Sequence, residues 1–356
     1  MANDGEDPRK DALDEIKDFS DDIIENIENS EPPRMTIPSR STSNIVFDEE
    51  KRFYTLAGKE TTRTAANMRQ VKKFAQTMCA ADFCKGLINS DKTATLREMY
   101  YTSEGWPTGG FKSQDRSDRV VEDLESSFAV KREDLGLLPE EDGASIFGDL
   151  TVREEGMEVK ATEAGRAGYT IPPTMSDVEF VDCGAERVLA VETMGMYHRL
   201  VQEEAWDDYN ALVVALKGQP ARATRRFLKR ANNELDLPVH LFTDGDPFGF
   251  HIAMVVISGS AKLAYINHEL AVPDANFIGV TATDIEEYDL PTDNLRDSDV
   301  KRLNQLLDDP RYSDGDWEKE INKMLELGTK AEQQAFSKYG LEYVVEEYLP
   351  SKLGLN

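Results

Sequence analysis

The sequence predicts an α+β domain followed by an α/β domain built on a parallel sheet. Three observations carry this expectation. With 356 residues the chain exceeds one typical core, so two domains and a tail are expected. Helical periodicity dominates residues 65–128, and short strand-like runs with glycine turns follow. Past about residue 170, apolar runs long enough for buried strands alternate with helical segments, which implies βαβ units with right-handed crossovers.

Residues 1–45 mix acidic residues with Ser, Pro and Arg and read as a flexible acidic extension, with EPPRMTIPSRSTSN as linker. Within it Leu13, Ile16, Phe19, Ile23, Ile24 and Ile27 recur at helical spacing, so residues 11–29 are expected to form an amphipathic helix, packed on its own domain or on a partner subunit. Met68, Val71, Phe74 and Met78 predict a helix over 65–90. The segments TLREMYY and SDRVVEDLESSF continue as helices on either side of a Gly/Pro-rich turn. VKREDLGLLPEEDGASIFGDLTVREEGMEVKA then reads as short strands. Helices followed by a small hairpin sheet predict a winged helix-turn-helix domain over residues 46–160.

Residues 161–356 form the expected α/β domain. Its strands are RVLAVE (187–192), NALVVAL (210–216), VHLFTDGD (239–246) and NFIGVTAT (276–283). MYHRLVQEEAW and PARATRRFLKRANNEL are the helices between them, and the remaining C-terminal tail is acidic and helical.

The chain carries 68 Asp+Glu against 41 Lys+Arg, a net charge of −27, which taken alone argues against nucleic acid as partner. The basic residues are nevertheless clustered. RATRRFLKR (222–230) holds five; Arg63, Arg69, Lys72 and Lys73 form a second group, and Arg97, Arg116 and Arg119 a third. Such a surface reads as adaptation to high salt, where the Debye length shrinks to about 3 Å at 1 M, or as ordinary acidic solubility. Cys79, Cys84 and Cys183 have neither zinc spacing nor an even count and read as buried free thiols. No run approaches the ~20 apolar residues of a membrane span, and the acidic N-terminus is unlike a secretion signal, so an intracellular, soluble protein is expected.

In an open parallel sheet, ligands gather beyond the carboxyl ends of the strands. Glu192 ends the first strand of the α/β domain, and Asp244 and Asp246 follow the third. Three carboxylates at one edge repel unless a hard cation such as Mg²⁺ neutralises them; a D-x-D turn held by Asx bonds is the simpler alternative. Earlier in the chain, Arg97 precedes Tyr100 and Tyr101 by three and four residues, so on a helix it reaches both. Two phenols there either straddle a packed face or include a nucleophile. Lys217, Gly218, Gln219 and Pro220 form the turn after the second strand. His251 reads as a core or capping residue and Trp106 as packing. No G-x-x-x-x-G-K-[ST] motif is present, so no P-loop binds ATP in this chain.

Together LREMYY, VETMGM, LKGQPARATRRFLKR and TDGDPFGFHI resemble the A subunits of archaeal DNA topoisomerase VI, and are similar to the eukaryotic meiotic double-strand-break transesterase. A strand ending in Glu followed by a strand ending in DGD resembles the Toprim domain of topoisomerases, primases and related nucleases. The resemblance runs from about residue 45 to the C-terminus, and with the acidic composition it points to a haloarchaeal source. It implies a winged-helix, catabolite-activator-like cleavage domain joined to a Toprim domain. Tyr101 would be the nucleophile, forming a 5′-phosphotyrosyl break, with Arg97 stabilising phosphoryl charge and Glu192, Asp244 and Asp246 holding Mg²⁺. Lys217 and Gln219 would face DNA, and Arg225 and Arg226 could line the same groove or form a solvated helix face.

The resemblance further implies double-stranded DNA as substrate, ATP bound by a separate B subunit, and an A homodimer within an assembly of two A and two B chains. Each tyrosine would work with the metal site of the other protomer, at the nucleoid in the cytoplasm. Three alternatives remain open. One is a nuclease of the same family that does not reseal. A second is a Mg²⁺-dependent phosphohydrolase using Asp244, against which the PFG after DGD counts. The last is a noncatalytic DNA-binding protein, against which the intact tyrosine, arginine and acids count.

Overall fold

The computed structural model describes residues 8–139, 143–313 and 315–355. The acidic start of the expected extension, residues 1–7, and residues 140–142 of the expected strand region lie outside the described residues. The chain divides into two compact units: Met1–Val46, Thr55–Glu141 and Ala261–Ile266 form the first, and Phe47–Tyr54, Asp142–Ser260 and Asn267–Asn356 the second. Among the described residues no helix is long and apolar enough to cross a membrane.

The first unit is mainly helical. It contains α1 (Pro8–Glu28), the antiparallel pair β1 (Arg34–Pro38) and β2 (Glu60–Thr64), then α2 (Val71–Asn89), α3 (Leu96–Thr102) and α4 (Gln114–Phe128). Val120, Val121, Leu124 and Phe128 give α4 one apolar face, which packs with Ala80, Ala81 and Cys84 of α2 and with Met99 of α3. Asp123, also on α4, is buried, and Arg40 and Arg63 both pair with it. Ala94–Thr95 pairs in parallel with Leu137–Leu138, tying the start of α3 to the end of the unit.

Residues 8–45 differ from the expected flexible extension. Ala12, Ile16 and Ile23 of α1 are buried, the first two against α2 and α4, while Ile23 meets Met35, Ile37 and Phe74. Helical spacing gives α1 an apolar stripe, and β1, with Met35 and Ile37 on its inner face, covers one end of it. One face of this helix packs on its own unit, and Ile24 and Ile27 remain exposed.

In the second unit β3 (Ser145–Phe147), β4 (Leu150–Glu154), β5 (Met157–Lys160), β6 (Tyr169–Thr170) and β7 (Val178–Cys183) precede the α/β core. That core runs β8 (Arg187–Val191), α5 (Met194–Gln202), β9 (Ala211–Ala215), α6 (Arg222–Glu234), β10 (Val239–Phe242), α7 (Pro247–Ser258) and β11 (Asn276–Gly279). The six-stranded sheet has the order β6-β3-β9-β8-β10-β11, in which β9, β8, β10 and β11 are parallel. Every residue of β9 is buried, as a strand with helices over both faces requires.

The expected domain boundary at residue 160 moves. β3 pairs antiparallel with β9, Val214 opposite Ile146, and β4 lies between β5 and β7 in a separate three-stranded sheet. Ile146, Leu150 and Val152 share a core with Val188 and Val214, so the strands read as the wing of the first domain belong to the second unit. Local pattern reveals a strand but not which sheet edge it joins.

Candidate functional site

In the second unit, parallel pairing sets Val191 opposite Phe242, so the residues leaving β8 and β10 emerge side by side. Glu192 N donates to Phe242 O at 3.1 Å, and Asp244 N donates to Glu192 Oε2 at 2.9 Å. Asp246 is the N-cap of α7, its Oδ1 accepting from Phe248 N at 2.8 Å and Gly249 N at 2.7 Å, with Pro247 at the first helical position. A Cβ on Gly249 would stand 2.1 Å from Asp244 O, so glycine is what lets α7 approach the acidic loop this closely. The three acids predicted from sequence are thus brought to one edge.

Burial pushes the Glu192 carboxyl up to about 7, with the charges of Asp244, Asp246 and Glu332 adding to it. Burial likewise raises Asp244 to about 6, with Asp246 and Glu332 contributing, against a lowering hydrogen bond from Gln333 N. Neither Glu192 nor Asp244 forms an ion pair among the described residues. Among those residues no group of His, Cys, Asp and Glu is arranged to chelate a metal ion as it stands. Each acid has turned one oxygen onto a backbone N–H, leaving Glu192 Oε1, Asp244 Oδ2 and Asp246 Oδ2. Those hard oxygens, under mutual repulsion, are of the type that Mg²⁺ takes as ligands.

A segment that sequence reasoning missed lies along this edge. Gly245 and Ala331 exchange backbone hydrogen bonds at 2.8 and 3.1 Å, and Gln333 N donates to Asp244 Oδ1 at 2.9 Å. Buried Gln333 also donates through Nε2 to Phe242 O at 2.7 Å, and Thr193 Oγ1 donates to its Oε1 at 3.3 Å. The loop after β9 reaches the same edge: Gly218 N donates to Glu192 O at 3.0 Å, and Lys217 and Gln219 are exposed beside it. Lys217 takes φ +60° and donates through Nζ to Gly143 O at 3.2 Å.

The other two candidate DNA contacts, Arg225 and Arg226, lie against their own unit. Arg225 is 2 % exposed, and its Nε and Nη2 have no hydrogen-bond partner. Burial, aided by Arg222 and Arg311, pushes its guanidinium down to about 9. Arg226 pairs with Glu269, and Arg230 with Glu234 and the carbonyls of Met175 and Val178. Three of the cluster's five members are thus buried or paired inside the unit, because helical spacing places them on different faces. His251 is half-buried on α7, lowered to about 4 by burial and by Arg302 and Arg311.

The first unit carries the tyrosines. Thr95 caps α3 in a reciprocal capping box, its Oγ1 accepting from Glu98 N at 3.1 Å while Glu98 Oε2 accepts from Thr95 N at 2.6 Å. Met99 is fully buried and fixes the helix rotation. Tyr100 consequently packs against the core, whereas Tyr101 is 54 % exposed, with the Arg97 guanidinium 5.9 Å from its ring centroid. The two rings sit 5.3 Å apart, and Trp106 packs on Phe111 and Phe83.

Folding also merges two basic groups that were separate in sequence. Arg69, Lys72, Lys73, Lys112, Arg116 and Arg119 line one cavity of about 370 Å³ between α2, α4 and the residues before α4. Lys73 pairs with Asp123 and Arg119 with Asp115; the other four pair with no acid among the described residues. Gln76 donates to Gly109 O and Gly110 O across the cavity wall, tying α2 to the loop that follows the tyrosines. All three cysteines are free, with Cys84 buried and pushed up to about 12 by burial, and Cys79 and Cys183 half-buried.

Comparison with known proteins names the class. Residues 72–137 match the family described as type IIB DNA topoisomerase, and residues 140–184 the all-beta domain in DNA topoisomerase VI alpha subunit. Residues 187–353 match the Toprim domain shared by Spo11 and the topoisomerase 6 A subunits. The A subunit of type 2 DNA topoisomerase 6 from Methanothermobacter thermautotrophicus is 58 % identical over 97 % of this chain and 98 % of its own length. Those of Haloarcula marismortui and Methanocaldococcus jannaschii are each 44 % identical over 97 % of this chain and 95 % of their own. This chain belongs to the family of topoisomerase 6 A subunits. The higher identity to a methanogen means that similarity does not single out a haloarchaeal source.

Proposed function

We propose that this chain is the DNA-cleaving and rejoining subunit of a type IIB topoisomerase, with Tyr101 as its nucleophile. The observation that carries the reading is the split between two adjacent phenols: Tyr100 is committed to the core, and Tyr101 faces solvent beside Arg97. Tyr101 Oη attacks a backbone phosphorus, loses its proton, and forms a phosphotyrosyl ester with the 5′ phosphate as the P–O3′ bond breaks; the 3′ oxygen leaves as a hydroxyl. The ester conserves the phosphodiester's free energy, so reversal reseals the strand. Arg97 offers a forked contact to the phosphoryl oxygens. Glu192, Asp244 and Asp246 would hold Mg²⁺, which when bound neutralises backbone charge and helps the 3′ oxygen depart.

The first unit is, in this reading, the helical part of the cleavage domain, supported by α2, α3 and α4 in succession and by the basic cavity, while the strands expected as its wing lie in the second unit. The four cations there without an acidic partner among the described residues suit a run of phosphates better than any surface of the second unit's basic helix. Lys217 and Gln219 would contact DNA from the acid-lined edge. ATP would be bound by a B subunit, in an assembly of two A and two B chains acting on double-stranded DNA at the cytoplasmic nucleoid. The acidic composition would fit a saline cell interior.

The test is peptide mapping of a labelled covalent DNA adduct formed with a B subunit, ATP and Mg²⁺. The adduct is expected on Tyr101, absent in Tyr101→Phe and retained in Tyr100→Phe. An adduct on Tyr100, or on no tyrosine of this segment, would sink the assignment.

A further inference from the structure

Lys330 reaches the acidic edge from outside the strands that carry the acids. It ends the two-residue strand Thr329–Lys330, which pairs antiparallel with Asp293–Asn294. The next residue, Ala331, is locked to Gly245 by two backbone hydrogen bonds. The Lys330 backbone is therefore fixed relative to the loop of Asp244 and Asp246. Its Nζ stands 3.0 Å from Asp299 Oδ2 and 3.9 Å from Asp246 Oδ2.

The two carboxylates hold the ammonium differently. Asp299 lies in the first turn of the helix Asp297–Leu307, is 2 % exposed, and accepts from Arg296 N at 3.1 Å through the same Oδ2. Asp246 has spent Oδ1 on the N-terminus of α7, so Oδ2 is the oxygen it has left for a ligand. At 3.9 Å the ammonium lies beyond hydrogen-bonding distance of that oxygen but well within Coulombic reach. Among the described residues, Lys330 is the one cation paired with any of the three edge acids.

We propose that Lys330 is a positioning residue for the acid set: restrained by Asp299, it orients Asp246 Oδ2 and competes with a divalent cation for it. This rests on the reading that Glu192, Asp244 and Asp246 take such a cation. The geometry gives two effects of opposite sign. Removing the ammonium leaves Asp246 Oδ2 unopposed, so the acids take a divalent cation more tightly. Removing the restraining carboxylate lets the ammonium close on Asp246, so they take it less tightly. A purely structural Lys330–Asp299 pair would lower the melting temperature in both variants without driving cation affinity in opposite directions.

The experiment titrates the full chain with Mn²⁺ at low ionic strength and reads free Mn²⁺ by electron paramagnetic resonance, with a melting curve for every variant. Lys330→Met is expected to lower the dissociation constant about tenfold, Asp299→Asn to raise it about tenfold, and Lys330→Arg to stay near wild type. Shifts in one direction, or none, in the Met and Asn variants while wild type binds would overturn the role of Lys330. Asp244→Asn separates the two readings: if it binds Mn²⁺ as wild type does, the acid set itself is wrong and the proposal falls with it. Should Lys330→Met fail to fold, the nearly isosteric Asp299→Asn decides alone, a weakened Mn²⁺ affinity supporting the role and an unchanged or tightened one overturning it.

Discussion

Asp244 N donates to Glu192 Oε2 at 2.9 Å, so the acid that ends one strand holds the backbone of the acid that follows its neighbour. The bond ties the two strand ends together and takes one Glu192 oxygen, while Gln333 N takes one of Asp244's.

Their protonation supplies a pH prediction. Glu192 keeps its proton to about 7 and Asp244 to about 6, against ordinary values of 4.5 and 3.8. Across that window these two groups bind more protons in the folded chain than in the unfolded one, so the stability they contribute is greatest below their ordinary values and falls as pH rises to about 7. In the proposed reading a divalent cation would replace those protons. The rise in melting temperature on adding Mg²⁺ is therefore expected to be larger at pH 8 than at pH 5, and to shrink in Glu192→Gln. Equal rises at both pH values would contradict the coupling of these acids to the cation.

For the basic cavity, Lys72→Ala, Lys112→Ala and Arg116→Ala are each expected to weaken DNA binding similarly on all sequences. Each should reduce the slope of log affinity against log salt by about 1. Filter-binding or anisotropy titrations from low to moderate KCl measure this, and an unchanged slope removes that residue from the phosphate path.

Arg225 gives the opposite expectation. A buried guanidinium with two unpartnered nitrogens costs desolvation without full compensation, so Arg225→Met is expected to leave the melting temperature unchanged or raise it. DNA affinity and its salt slope should stay at wild-type values; a drop in either would return this helix to the DNA interface.

The excess of 68 acids over 41 bases predicts a salt response of the fold itself. Urea midpoints should climb as KCl is raised from about 0.1 M to about 2 M, because self-repulsion is screened within a few ångströms at the upper end. DNA affinity should fall over the same range, giving activity an optimum, and flat urea midpoints would end the high-salt reading.

The parallel strands and their terminal acids were legible because both signals are local: an apolar run marks each strand, and Glu192, Asp244 and Asp246 stand directly after one. Lys330 and Gln333 gave no such signal. Their importance comes from backbone pairing between Ala331 and Gly245, far apart in sequence, inside a stretch that reads only as acidic and helical. The basic residues misled in an instructive way. Density along the chain favoured RATRRFLKR, yet helical rotation buries Arg225 and sets Arg226 on Glu269, while Arg69 and Arg116, from different parts of the sequence, line one cavity. The difference in exposure between Tyr100 and Tyr101 follows from the helix rotation fixed by Met99, which spacing from Arg97 alone does not supply.

The first unit is discontinuous in the chain: Tyr265 Oη donates to Glu125 Oε2 at 2.9 Å, and the Arg40 guanidinium lies 5.8 Å from the Tyr265 ring centroid. On the ribosome this orders events in time. α1 emerges first, but α4, which shields part of its apolar stripe, is complete only at residue 128, and Tyr265 arrives much later. At a synthesis rate of about 5–20 residues per second, the nascent first unit waits roughly 7–27 s for its last piece. During that interval Glu125 and Arg40 lack the Tyr265 contact, whereas the neighbours of Ile16 and Ile23 are already translated.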